Sequence, residues 1–376
     1  MTLSEILDGR RLVLCVGSGG VGKTTTASAL AVAAARRGRR TAVLTVDPAQ
    51  RLRDALGLDE LDGRPRRVPL PGSHARLDAM LLDVKRTFDE LVVGLASTPE
   101  QARRVLDNHL YQNLSGTLAG SAEYMAVETV LRLAETGDYD LLVVDTPPAR
   151  HAVDFLDAPR RLLRLLDSRA FSILKDPTSI LPGAGSRLAH FVLGGVLRGL
   201  ERFTGIGLVR EIGDFVRVIE GLTGALRVRV KEVDTLLKSD ATALLLVTAP
   251  EPRLTDETAE LAHALAAVHL RVHGVLVNRV LPRGLYGSEV EEPPPVPGVS
   301  DALAGRLAHA WADLRTLAAR QETTLAPLLR TAAAPLLAEV PLLATPPGTL
   351  ADLESVAAHL LPEPGASAVA VRGLGT

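Results

Sequence analysis

The sequence predicts an α/β fold, a doubly wound and mostly parallel sheet carrying an inserted α-helical subdomain. Three observations predict it. Short apolar runs of strand length recur along the chain, separated by long stretches of helical periodicity. A glycine-rich turn joins the first of these runs to an alanine-rich helix. Between residues 147 and 240 the strand signal stops and only helical spacing is left. The 376 residues, 47% apolar and 23% charged, suit a globular chain of one large domain or two joined ones.

Residues 11–17 (RLVLCVG) form an apolar run suited to a buried parallel strand. After the glycine-rich turn, residues 24–37 (TTTASALAVAAARR) are strong helix formers that stop at Gly38, the residue type that closes helices. Residues 41–47 (TAVLTVD) supply a second buried strand and complete a βαβ unit. A shorter run at residues 76–82 is a further strand candidate. Residues 140–145 (DLLVVD), 241–249 (ATALLLVTA) and 271–278 (RVHGVLVN) continue the series. Within residues 147–240, segments such as PRRLLRLLDSRAF and VREIGDFVRVIEGLTGALRVRV place apolar residues three and four apart, as helices require. This stretch reads as a helical subdomain inserted into a single domain of residues 1–361. Residues 291–298 (EEPPPVPG) read as an acidic surface loop, and the small-residue tail, 362–376, as disordered.

Composition excludes several function classes. A formal net charge of −2 gives no support to a nucleic-acid partner. One cysteine, Cys15, provides neither an internal disulfide nor a thiolate cage for zinc. No apolar stretch approaches the ~18 residues of a membrane span, and residues 1–11 lack the apolar core of a secretory leader. A cytoplasmic protein is expected. Of the 42 basic residues only five are lysine: Lys23, Lys85, Lys175, Lys231 and Lys238.

One of those five stands in a motif. Gly17-Ser18-Gly19-Gly20-Val21-Gly22-Lys23-Thr24 matches G-x-x-x-x-G-K-[ST], with a strand before it and a helix after it. Successive backbone N–H groups of such a loop form an anion nest, and the helix N-terminus adds about half a positive charge. Lys23 is placed to reach the β- and γ-phosphates of a nucleotide, and the Thr24 hydroxyl to ligate Mg²⁺. Asp145 ends a neighbouring strand, where a carboxylate partners the metal ion. Asp47 ends the strand after the loop helix, where a carboxylate orients an attacking water or simply opens a turn. Guanine-specific proteins of this type carry N-K-x-D at a later strand end. Here that position reads Asn278-Arg279-Val280-Leu281, without the aspartate, so adenine is preferred and the Asn278 amide can pair with its edge.

Taken together, these pieces resemble one family: the arsenical-pump-driving ATPases and the ATPases that target tail-anchored membrane proteins. Residues 17–25 resemble its deviant phosphate loop. Asp47-Pro48-Ala49-Gln50 resembles its first switch, and Asp145-Thr146-Pro147-Pro148-Ala149-Arg150-His151 its second. Thr248-Ala249-Pro250-Glu251 and Asn278 fall at two more landmarks, and GSGGVGKTTTASALA with DTPPARHAVDFLDAPRRL is similar to the actinobacterial branch. The resemblance implies a Mg²⁺-dependent, ATP-hydrolysing dimer switched by its nucleotide. It implies nucleotide contacts from Gly19, Gly20, Val21, Gly22, Lys23, Thr24 and Thr25, with Asp145 and Thr24 at the metal. Asp47 takes the water-positioning role, and Asn278 reads adenine. A loop at residues 341–348, or alternatively 335–341, covers the base. The helical subdomain is where the family places a hydrophobic or membrane-protein client.

Departures from the family pattern open an alternative. The family loop reads G-K-G-G-V-G-K-T, and its first lysine reaches the other subunit's phosphates; here that position is Ser18. A homodimer then lacks this cation unless another basic residue substitutes. A heterodimer would draw it from a related ATPase subunit, leaving this chain a weakly hydrolysing regulatory member. The cysteines that hold zinc between subunits, or arsenite in the pumps, are absent, so neither zinc nor arsenite is expected.

Overall fold

The structure, a computed structural model, describes residues 1–46, 51–114, 121–168, 207–281 and 297–362. In chain order the elements are α1 (Leu3–Gly9), β1 (Leu12–Gly17), α2 (Lys23–Arg36), β2 (Thr41–Thr45), α3 (Arg51–Ala55), β3 (Arg66–Arg67), β4 (Leu77–Leu81), α4 (Val84–Leu95), α5 (Pro99–Leu106) and α6 (His109–Leu114). There follow α7 (Ser121–Thr136), β5 (Leu141–Asp145), α8 (Ala149–Leu166), α9 (Gly207–Lys238), β6 (Thr242–Thr248), α10 (Pro252–Ala267), β7 (Val272–Val280), α11 (Asp301–Ala332), β8 (Leu336–Pro341) and α12 (Leu350–Leu360). They fall into two compact units. One comprises Met1–Leu82, Arg132–Val153 and Lys238–Thr376, the other Asp83–Leu131 and Asp154–Leu237.

The first unit is built on an eight-stranded sheet in the order β3-β4-β2-β5-β1-β6-β7-β8. All neighbours run parallel except β3, which lies antiparallel on β4. Every residue of β1, β2, β5 and β6 is buried, as expected of strands covered on both faces. Helix α2 is buried along nearly its whole length, and its run of alanines lets it lie close against the sheet. α12 packs against α2 through Leu353, Val356 and Leu360. The result is the predicted doubly wound α/β sheet. All five strands read as apolar runs are present, and the candidate at residues 76–82 is β4.

Two elements differ from the sequence reading. Residues 1–11 read as merely polar, yet α1 forms there. Thr2 and Glu5 cap it reciprocally, and Leu3, Ile6 and Leu7, at helical spacing, are buried in the core. Residues 335–341 were one candidate for the loop over the base. Leu336–Pro341 is instead the edge strand β8, hydrogen-bonded parallel to β7. Its sequence, LLAEVP, lacks a regular period-two alternation, with Ala338 and Val340 buried and Leu336 and Leu337 only half-buried, so the strand signal is faint.

The second unit is helical. Its core gathers Val92, Val105, Tyr111 and Leu222. Arg229 donates to the buried Glu128 at 2.7 Å, and the Thr87 and Thr129 hydroxyls share a buried hydrogen bond at 3.0 Å. Within residues 147–240 the described helices are α8 and α9, and residues 154–168 and 207–237 share a unit with residues 83–131. Residues 169–206 and the tail from 363 onward lie outside the described residues.

Candidate nucleotide-binding and catalytic site

The carboxyl ends of β2, β5, β1 and β7 carry the residues that matter, which is where open α/β sheets bind ligands. β1 ends at Gly17. A Cβ there would stand 2.0 Å from the Val247 carbonyl oxygen on β6, so only glycine lets the two strands meet. The loop then turns through Gly20 (φ 78°) and Gly22 (φ 90°), both in the left-handed region that glycine alone adopts freely. At Gly22 a Cβ would also lie 2.1 Å from Asn278 Nδ2. α2 begins at Lys23 with no side chain capping its first turn, which leaves its leading N–H groups for an anion.

Around this loop the charged groups are held by short contacts. Lys23 is buried and its Nζ donates to the Ser18 carbonyl at 2.9 Å. The Thr24 hydroxyl donates to Asp145 Oδ2 at 2.6 Å, and the Thr45 hydroxyl donates to the same oxygen at 3.2 Å. The sheet order places β5 between β1 and β2, which brings Asp145 beside both threonines. Cys15 is Asp145's register partner across β1 and β5. Burial first, and then the Asp145 charge, push its thiol far up, so it is an uncharged core group rather than a nucleophile. Thr146 Oγ1 donates to the Cys15 carbonyl at 2.9 Å, tying the chain just after β5 to β1.

Asn278 sits under the loop. Its Nδ2 donates to the Val21 carbonyl at 3.0 Å, and its Oδ1 accepts from the Arg279 N–H at 2.9 Å. One amide hydrogen is thereby used on the loop. Arg279, which the sequence reading passed over, has its guanidinium on the Gly20 carbonyl and lies 3.9 Å from the Glu251 carboxylate. Its only sequence signal was a basic residue after the strand-end asparagine, in a motif otherwise set aside for lack of the aspartate. Ser18 is wholly buried, and its Oγ has no hydrogen-bond partner among the described residues. Its side chain is turned inward and offers nothing to the surface. Gly19 and Gly20 are exposed, Val21 buried and Thr25 half-buried. The expected Asp47, with residues 48–50, lies outside the described residues.

The donor set fits a hard divalent cation. The Thr24 hydroxyl and the Asp145 carboxylate are oxygen ligands already in contact. No group of three or more His, Cys, Asp or Glu side chains able to hold a metal occurs among the described residues. An ion held by these two groups would complete its shell with phosphates and waters, as Mg²⁺ sites commonly do.

Sheet, loop and uncapped helix define a P-loop nucleoside-triphosphatase. The profile of the anion-transporting ATPase family matches residues 10–287, nearly three quarters of the sequence, and the chain belongs to that family. Among its relatives, ATPase GET3 of Phaeosphaeria nodorum is 28% identical over 290 residues, covering 74% of this chain and 80% of that protein. ATPase ARSA2 of Chlamydomonas reinhardtii is 30% identical over 295 residues, covering 77% and 74%. ATPase GET3 of Podospora anserina is 28% identical over 284 residues, covering 74% and 76%. The chain is accordingly an ATP-binding ATPase, with ATP as its substrate.

Proposed function

We propose that the chain hydrolyses ATP in a Mg²⁺-dependent way as a nucleotide-switched cytoplasmic dimer, from the loop at Gly17–Thr24. The observation that carries this is the 2.6 Å contact between Thr24 and Asp145 beside an uncapped helix N-terminus. Backbone N–H groups of Gly19 to Thr25 hold the phosphates, and Lys23 leaves the Ser18 carbonyl for the β- and γ-oxygens. Thr24 and Asp145 hold Mg²⁺, which when bound neutralises charge on the phosphates. Asp47 orients the attacking water, and Asn278 meets the adenine edge with its second amide hydrogen. With β8 occupying residues 336–341, the connection to α12 is the stretch that covers the base. Residues 1–361 then act as one catalytic domain. Its helical part exposes Val93, Leu165 and Val228, which supports an apolar or membrane-protein client.

Binding titrations of ATP with and without Mg²⁺ test the metal reading. Wild-type affinity should rise with Mg²⁺, and Thr24→Ala or Asp145→Ala should flatten that response while Mg²⁺-free binding persists. A wild-type affinity indifferent to Mg²⁺ would defeat it. The burial of Ser18 favours a second reading, in which a related subunit supplies the missing lysine. The two readings part on the purified chain alone: turnover that grows with chain concentration supports a homodimer. ATP bound without turnover, and turnover restored by a partner, supports the heterodimer.

A further inference from the structure

We infer that Arg279 is a positioning residue for the phosphate loop, holding the loop's N–H groups toward the nucleotide and slowing nucleotide release. This rests on the nucleotide-site reading above.

Along a regular strand, residues 278 and 279 would point to opposite faces. Arg279 instead adopts φ 60°, a left-handed conformation that a side-chain-bearing residue holds only when its surroundings impose it. The β7–β8 register is broken between Val277 and Val280, at this very place, and such irregularities re-aim side chains. The consequence is that both neighbours reach the loop. Asn278 takes the Val21 carbonyl and Arg279 the Gly20 carbonyl. The carboxylate of Glu251, the residue before α10, lies 3.9 Å from the guanidinium.

What this does to the loop follows from peptide geometry. Across a trans peptide, the carbonyl of one residue and the N–H of the next point in opposite directions. Fixing the Gly20 carbonyl therefore fixes the Val21 N–H, and fixing the Val21 carbonyl fixes the Gly22 N–H. Lys23 does the same for Gly19 by holding the Ser18 carbonyl. Asn278 and Arg279 thus set the direction of consecutive nest donors before any phosphate arrives. Gly20 has a left-handed φ of 78° and no side chain of its own, so its peptide is free of the conformational limits that a Cβ imposes and gains most from an outside restraint.

The experiment compares Arg279→Ala, Arg279→Gly and Arg279→Lys with wild type and with Lys23→Ala. ATP and ADP affinity, release rate, KM and kcat are read for each. We expect Arg279→Ala and Arg279→Gly each to weaken both nucleotides by about tenfold, as loss of a charged hydrogen bond would. The loss should fall on KM and release rate far more than on kcat. Arg279→Lys should recover part of it, because an ammonium can still donate to Gly20. The glycine variant separates the clamp from backbone strain. It relieves the left-handed residue, so full wild-type affinity in Arg279→Gly would overturn the inference. Unchanged affinity in Arg279→Ala would overturn it too, as would a fall in kcat at constant KM, which marks a transition-state cation instead. If Lys23→Ala binds nucleotide like wild type, the site reading fails and takes this inference with it. If Lys23→Ala fails to bind while the Arg279 variants behave as wild type, this inference alone falls.

Discussion

Gly22 carries two constraints at once: a left-handed backbone at φ 90°, and Asn278 Nδ2 standing where a Cβ would be. Gly22→Ala should therefore cost about 1–3 kcal/mol through strain and overpacking, and displace the amide that holds Val21. Gly19 has open space and no positive φ, so Gly19→Ala should leave the urea midpoint close to wild type. Paired denaturation curves check both, and equal midpoints would refute the steric account. The turn from β1 through Gly17 and Gly22 into the helix at Lys23 and Thr24 was legible from the motif, and Asp145 as a strand end from its apolar run, because both are encoded locally. Their partners were not. That Gly17 faces the Val247 carbonyl and Gly22 the Asn278 amide depends on strand order. The approach of Arg279 to Gly20 depends on a positive φ that no residue pattern announces.

Among the elements, the seam between β6 and β7 holds a pH-dependent contact. The pairing shifts register between Leu244 and Leu245, and His273 Nδ1 accepts the Leu244 N–H at 3.2 Å. Burial, then the charges of Arg10 and Arg271, hold the His273 pKa below its ordinary value. The unfolded chain therefore binds this proton at higher pH than the folded one, and stability rises with pH between the two pKa values. The contribution is complete above the unfolded value of ~6.5 and is lost as pH falls through the folded value. Urea midpoints at pH 7.5 and 5.5 should fall with acid in wild type and fall less in His273→Asn. An identical slope in the two proteins would exclude this role.

In the helical unit, Glu128 is almost wholly buried and receives Arg229 at 2.7 Å and the Tyr124 hydroxyl at 3.3 Å. Removing one partner of such a pair strands the other charge, so Glu128→Ala should cost about 3 kcal/mol. A midpoint within error of wild type would show the pair to be idle. Strands buried on both faces were legible as apolar runs. The edge strand β8, which lacks regular alternation, and the short capped α1 were not, since their order comes from tertiary packing.

For the whole molecule, the central fact is convergence from distant parts of the sequence. Thr24 and Asp145 are 121 residues apart, and Val21 and Asn278 are 257 apart, yet each pair is hydrogen-bonded. A parallel sheet does this by delivering the ends of β1, β5 and β7 to one edge, so the sheet order is what assembles the candidate site. None of the described helices is long and apolar enough to cross a membrane. The most direct measurement is steady-state ATP turnover with Mg²⁺ by the chain and by Lys23→Ala, folded to the same thermal midpoint. The account predicts turnover in the wild type and a loss of about a hundredfold or more in the variant, the scale for removing a cation from developing charge. Turnover that survives Lys23→Ala undiminished would contradict it, because ATP would then be hydrolysed somewhere other than the loop at Gly17–Thr24.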